Sequence, residues 1–254
     1  MAVRTGRVMT VLRRRRELAS RNASFHEGGF AGALLAPLKL IFALTLAFIG
    51  FLVVAWIVDW IFVFKVWPDG IERLKSMLAT DFARALDLAQ WQGGVPSAVT
   101  GTANFLYALV FRITGIHDMG MRFAEGAALS IPDTIVRNTY MANREAIEVA
   151  MIGTQLLGVR LATLAFTAPL LALVYVVAAT DGLTQRAIRR ACGGRESASL
   201  YHRAKHSQVV LVVMAGALSL IQPVSIDPRL IWVPCAVLVG ILARLQWAYY
   251  KKHL

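Results

Sequence analysis

Cysteine is nearly absent, and two thiols in 254 residues cannot build a disulfide framework. Charge is scarce as well. Asp, Glu, Lys and Arg make up 17% of the chain against about 25% in soluble globular domains, while 57% is hydrophobic. Acids are the rarer sign, 15 against 27 basic residues, which leaves a formal charge of +12. This balance excludes a disordered chain, a coiled coil and an ordinary soluble enzyme core. Motifs that carry chemistry are also missing. There is no HExxH, no paired-cysteine metal site, no GxxxxGK[ST] phosphate loop and no GxSxG. The chain therefore reads as a non-enzyme that needs no cofactor. No internal repeat or low-complexity tract is visible.

What the chain does have is long apolar runs. Leu40 to Val58 and Leu161 to Ala179 each hold 19 residues without a charge, the second with Pro169 in its middle. At about 1.5 Å per residue each reaches across a hydrocarbon core of about 30 Å. Val209 to Ile221 has 13 uncharged residues, and Leu230 to Ala243 continues past Arg244 to Tyr250. Asp227-Pro228 is an N-cap followed by proline at the first helical position, so Gln222 to Arg229 reads as the turn of a spanning hairpin. The fold class expected is all-α, a polytopic helical membrane protein with about four spans and a helical extracytoplasmic segment.

Loop charge sets the orientation. Residues 1–39 hold eight basic residues and two acids, and 180–208 hold six and two. From Arg244 onward there are three basic residues and no acid, whereas 59–155 hold eight basic residues and ten acids. The positive-inside rule then places the N-terminus, the 180–208 loop and the C-terminus in the cytoplasm of a bacterial inner membrane. Trp56, Trp60 and Trp67 mark the outer end of the first span, and Trp247, Tyr249 and Tyr250 the inner end of the last. The basic arm and first run do not make a secretory signal, because the run starts late and lacks a small-x-small site, so it reads as a retained anchor. The organisation expected is a basic arm at 1–39, a first span at 40–66 and a helical periplasmic segment at 67–155. A second span follows at 156–179, a basic hairpin at 180–208, a transmembrane hairpin at 209–250 and a tail at 251–254.

The outer segment carries helical periodicity. Ile71, Leu74, Leu78, Phe82, Leu86 and Ala89 repeat at i, i+3/i+4, which predicts an amphipathic helix from Asp69 to Gln90. A second helix is expected from Ser97 to Thr114, and Ser130-Ile131-Pro132-Asp133 opens a third. Beyond Asp133 the only interruptions are Gly153 and Gly158, so one helix is expected to rise from the outer face into the second span. Ala98 to Phe111 is apolar but short, contains Asn104 and ends at Arg112, and a span there would move the basic 180–208 loop outside, so it is placed in the outer segment, with a re-entrant or interfacial helix as the lesser reading.

Several side-chain sets invite a functional reading. Asp59 and Arg160 both stand near the outer end of a span, where charges are costly and tend to pair. Candidates are an intramembrane ion pair, a proton relay, or two separate interfacial charges. His202 and His206 have i, i+4 spacing, but Arg203 and Lys205 lie between them and no carboxylate or thiolate is adjacent, so no metal site is assigned. Gly193 and Ser197 suit a helix C-cap and the next N-cap, making 180–208 a helical hairpin. Cys192 reads as a free thiol and Cys235 as a small core residue. The cluster Arg186, Arg189, Arg190, Arg195, Arg203 and Lys205 forms a basic face. It suits anionic lipid headgroups first, an acidic protein partner second and nucleic acid least, since basic clusters alone do not specify DNA. Small-xxx-small pairs at Ala43/Ala47 and Ala236/Gly240 allow close helix packing, and a homo-oligomer is compatible with them.

The run Thr180-Asp181-Gly182-Leu183-Thr184-Gln185-Arg186-Ala187-Ile188-Arg189-Arg190 is distinctive, with Gly194-Arg195-Glu196-Ser197 and Tyr201-His202-Arg203-Ala204-Lys205 after it. Together with Phe111-Arg112-Ile113-Thr114-Gly115 and the basic arm, it resembles a family of integrating conjugative element membrane proteins, a domain family of undefined biochemical role. That resemblance implies a setting of conjugative type IV secretion and supplies no catalytic residues. The function it implies is an inner-membrane scaffold or accessory subunit for DNA transfer, with other conjugation membrane proteins, the coupling ATPase among them, as partners. Asp181, Gly182, Arg186, Arg190, Arg195, Glu196, Tyr201, His202 and Arg203 are the candidate partner-binding residues. The alternative is a small-molecule transporter or permease, which would need a polar cavity that the nearly uncharged first three spans do not suggest.

Overall fold

The computed structural model describes residues 29–91, 96–124, 131–193 and 198–250. The chain divides into two units, residues 1–51 and 52–254. Among the described residues every regular element is a helix. Helix α1 spans Gly29–Ile61 and runs through both units; it starts eleven residues before Leu40, where the charge-free stretch begins. Pro37 lies inside α1, as prolines do in membrane-type helices where neighbouring groups satisfy the freed carbonyl.

In the second unit, α1 ends in a wide turn at Phe62–Val66, where the Trp67 N–H donates to the Phe62 carbonyl at 2.8 Å. Gly70, at φ +50°, makes the corner into α2 (Gly70–Trp91). Helix α3 (Ser97–Tyr107) also widens, at Ala108–Arg112, and turns at Gly115 (φ +74°) into α4 (Ile116–Ala124). After α5 (Ile131–Ala142) comes α6 (Arg144–Ala191), then α7 (Ala198–Ile221) and α8 (Pro228–Ala248). Among the described residues four stretches are long and apolar enough to cross a membrane: Pro37–Val66, Arg144–Ala191, Ser199–Ile221 and Pro228–Ala248. Ser97–Arg112 and Ile116–Phe123 pass the same test only as a pair bent by 74°, the shape of a broken span or re-entrant loop.

Helix α6 is the mast of this unit. Its 48 residues extend about 72 Å, more than twice a hydrocarbon core. Three glycines on it mark close approaches to three different helices. A Cβ on Gly153 would collide with the Asp59 carboxylate of α1. One on Gly158 would sit 2.6 Å from the Ala103 Cα of α3, and one on Gly182 would sit 2.6 Å from the Arg244 carbonyl oxygen of α8. Gly153 and Gly158, the only interruptions foreseen, are therefore packing sites. The interruption falls instead at Asn143, whose backbone leaves the helical region at φ −111° and whose amide donates to the Thr139 carbonyl at 2.9 Å. An asparagine side chain that bonds nearby backbone competes with the helix at that point.

Apolar packing follows the mast. Val149, Ile152 and Leu156 pack with Leu74, Met77 and Val63. Val159 and Ala162 pack with Ala85, Ala89, Val99 and Ala103, which are small enough to let α2 and α3 lie close. Further along, Trp232, Cys235 and Val239 of α8 pack with Ala215 of α7 and the half-buried Leu171 and Tyr175 of α6. The outward positions of α7 are as apolar as a core: Val209, Val210, Val213 and Met214 stay more than half exposed, a perimeter that suits lipid rather than water.

Candidate functional site

Two polar clusters sit at opposite ends of the α6–α8 packing. The first lies where α7 turns into α8. Asp227 caps α8 as its residue type foretold, its Oδ1 accepting from the Arg229 N–H at 2.9 Å, with Pro228 at the first helical position. This link carries the Leu220 and Gln222 carbonyls and the Ser225 hydroxyl toward α6. Arg160 reaches them from α6. Its Nη1 donates to Leu220 O at 3.1 Å and to Gln222 O at 2.8 Å, and its Nε donates to Asp81 Oδ2 of α2 at 2.9 Å. Both side chains of this ion pair are 7% exposed. Ser225 donates to the other Asp81 oxygen, Arg84 Nη1 donates to Ser225 Oγ at 2.5 Å, and at the rim Arg229 pairs with Asp87 at 2.6 Å. One arginine thus ties three segments far apart in sequence.

Of the readings open for Asp59 and Arg160, the ion pair between them is not the one Arg160 forms. The carboxylate within ion-pair distance of Arg160 is Asp81. Asp59 lies against Gly153, seven residues and about 10 Å along α6 from Arg160, because Trp56 and Trp60 fix that part of α1. Trp56 Nε1 donates to Thr154 Oγ1 at 3.0 Å and Trp60 Nε1 to the Ala146 carbonyl at 3.3 Å. Asp59 is buried there.

The second cluster is basic and aromatic. Here α6 runs without a break past Ala179 to Ala191, and Gly193, at φ +70°, makes the expected C-cap turn. Asp181 forms an ion pair with Arg244, its Oδ2 2.6 Å from Nε. Gly182 lets the α8 backbone come into contact. Arg189 stands 3.9 Å from the Tyr249 ring centroid and donates to the Ala248 carbonyl at 3.2 Å, satisfying an end of α8 that carries partial negative charge. Arg186 stands 5.1 Å from the Tyr250 centroid, a cation–π distance. Tyr201 of α7 packs edge-on against Tyr250 at 5.5 Å, Trp247 lies 5.6 Å from Tyr250, and Trp247 Nε1 donates to Tyr175 OH at 3.0 Å. These contacts clasp the ends of α6, α7 and α8 together.

Four of the nine candidate partner-binding residues, Asp181, Gly182, Arg186 and Tyr201, therefore also work inside the chain. Arg190, His202 and Arg203 are exposed beside them, as are Lys205 and His206. Arg195 and Glu196 lie outside the described residues. Sequence reasoning missed Asp81, Ser225 and Gln222 at the first cluster and the grip of Tyr249 and Tyr250 at the second. Cys192 is exposed and Cys235 buried, as their positions implied.

A family model described as "IncC plasmid conjugative DNA transfer protein DtrJ-like" matches residues 66–251, nearly three quarters of the chain. The chain belongs to this DtrJ-like family and is a conjugative DNA transfer protein. The match takes in both polar clusters and agrees with the conjugative setting of the resemblance. No curated protein and no solved structure matches the chain.

Proposed function

We propose, from membership of the DtrJ-like family, that the chain is an accessory or scaffold subunit of the conjugative DNA-transfer apparatus in the bacterial inner membrane. It binds rather than catalyses, and it works through protein contacts at the end where α6, α7 and α8 meet. The observation that carries this reading is the clasp within the matched region. A junction of three helices, held by the contacts above, carries His202, Arg203 and Lys205 exposed on α7 and Arg190 exposed on α6. Elements held by packing position binding residues better than free loops do. Arginine beside aromatic residues is a common anchor at protein interfaces.

In this reading the clasped end, the N-terminus and the C-terminus face the cytoplasm, by the charge bias of the loops. The partner is another membrane component of type IV secretion, the coupling ATPase among the candidates. Anionic headgroups contribute to the same basic surface without giving it specificity. The test is a donor strain from which the coding sequence has been removed. Transfer to a recipient should fall and return with the wild-type protein. It should stay low with Arg203→Ala and Lys205→Ala together, at equal membrane abundance. Full transfer from the donor that lacks the protein would refute the reading.

A further inference from the structure

A recess of about 660 Å³ opens between the end of α1, the α3–α4 bend, α5 and the start of α6. This is within the range of small-molecule pockets, about 300–1,000 Å³. Its lining contains few polar groups, and several of these are already engaged. The indole N–H groups of Trp56 and Trp60 are given to Thr154 and to the Ala146 carbonyl. Thr139 Oγ1 donates to the Ile135 carbonyl at 3.0 Å, and the Asn143 amide to the Thr139 carbonyl. The Tyr140 hydroxyl lies against Gly120, where a Cβ would come within 2.5 Å of it. What faces the recess is therefore mostly ring face and hydrocarbon. Such a wall selects an apolar occupant by shape and offers little to a polar solute.

Location narrows the occupant further. Val53 and Ile57 belong to Pro37–Val66 and Phe111 and Ile116 to the bent pair, so the wall beside α1 is built from segments apolar enough for a bilayer. Val53, Ile57 and Trp60 remain 42–52% exposed, so the apolar wall continues onto the outer surface of α1. A spanning helix from a partner or a second copy, about 10 Å across and 30 Å long, would displace on the order of 2,000 Å³, several times the space present. A single hydrocarbon chain fits both the volume and the lining.

We propose that this recess is a lipid site that takes one acyl chain of a membrane phospholipid, entering sideways past α1. It is separate from the clasped end and does not depend on the partner reading above. The test uses the full chain in vesicles of phosphatidylethanolamine and phosphatidylglycerol that carry a trace of phosphatidylethanolamine with a diazirine on its acyl chain. After illumination, labelled peptides are mapped by mass spectrometry. Label should concentrate on peptides holding Val53–Trp60 and Ile135–Ala150. It should drop about tenfold there in Ala150→Phe, which fills the recess, while label on Val210 and Val213 of α7 stays constant. Val53→Phe, at an exposed wall position, gives the same readout if Ala150→Phe does not fold. Label spread evenly over α7 and the recess peptides, unchanged by either substitution, would mean ordinary surrounding lipid and would overturn the proposal.

Discussion

Replacing Asp81 separates the two accounts of Arg160 most sharply. In Asp81→Leu the guanidinium stays buried and keeps its bonds to the Leu220 and Gln222 carbonyls, but its carboxylate has gone. Stranding one member of a buried pair costs about 3–5 kcal/mol. Arg160→Met is milder. Asp81 keeps the Ser225 hydroxyl, and Arg84 remains 3.9 Å away, so about 2–3 kcal/mol is expected, the scale of a hydrogen bond to a charged group. The double variant removes both charges and should cost no more than Asp81→Leu alone, with a coupling energy of about 2–3 kcal/mol. Reversible unfolding in mixed micelles measures each value, and membrane abundance should follow the same order. Coupling between Asp59→Asn and Arg160→Met should be clearly smaller, because Asp59 lies beside Gly153. Losses from Asp81→Leu and Arg160→Met that add to within about 0.5 kcal/mol would refute the reasoning.

The clasp makes a contrast between neighbours. Gly182→Ala should lower thermal stability by about 1–3 kcal/mol, since its Cβ would meet the Arg244 carbonyl at 2.6 Å, whereas Asp181→Asn breaks a half-exposed pair and should cost under about 1 kcal/mol. In the signature segment, Arg195→Lys keeps charge but loses the planar fork, and Glu196→Gln loses charge; both should reduce donor-to-recipient transfer while leaving insertion intact. Reporter fusions after Arg195 and after Leu254 should read as cytoplasmic and one near Gln92 as periplasmic, and a periplasmic signal after Arg195 would overturn the orientation.

Much of this architecture is legible in the chain because apolar runs and caps are local signals. The four spans, the amphipathic α2 and the Asp227-Pro228 start of α8 all appear where composition and spacing put them. What was not legible depends on distant partners. Arg160 has one carboxylate near it along the membrane axis in a simple reading, Asp59, yet α2 folds back and delivers Asp81 from 79 positions away. The one signal in the sequence is that Asp81 stands seven residues after Leu74 and four before Ala85, on the apolar face, whereas Glu72 and Asp87 fall on the exposed side. Trp247, Tyr249 and Tyr250 read as aromatics at a membrane boundary, and only the return of α8 alongside α6 shows that they hold Arg186 and Arg189. Asn143 was overlooked because its break comes from a side-chain bond to Thr139 rather than from a glycine or proline.

The most direct test of the partner reading is affinity purification of the tagged, full-length chain from donor membranes, followed by identification of what comes with it. The account predicts another membrane component of the transfer apparatus, present with the wild type and lost when Arg203 and Lys205 are both replaced by alanine. Recovery of the chain with lipid alone, from donors that transfer DNA normally, would contradict it.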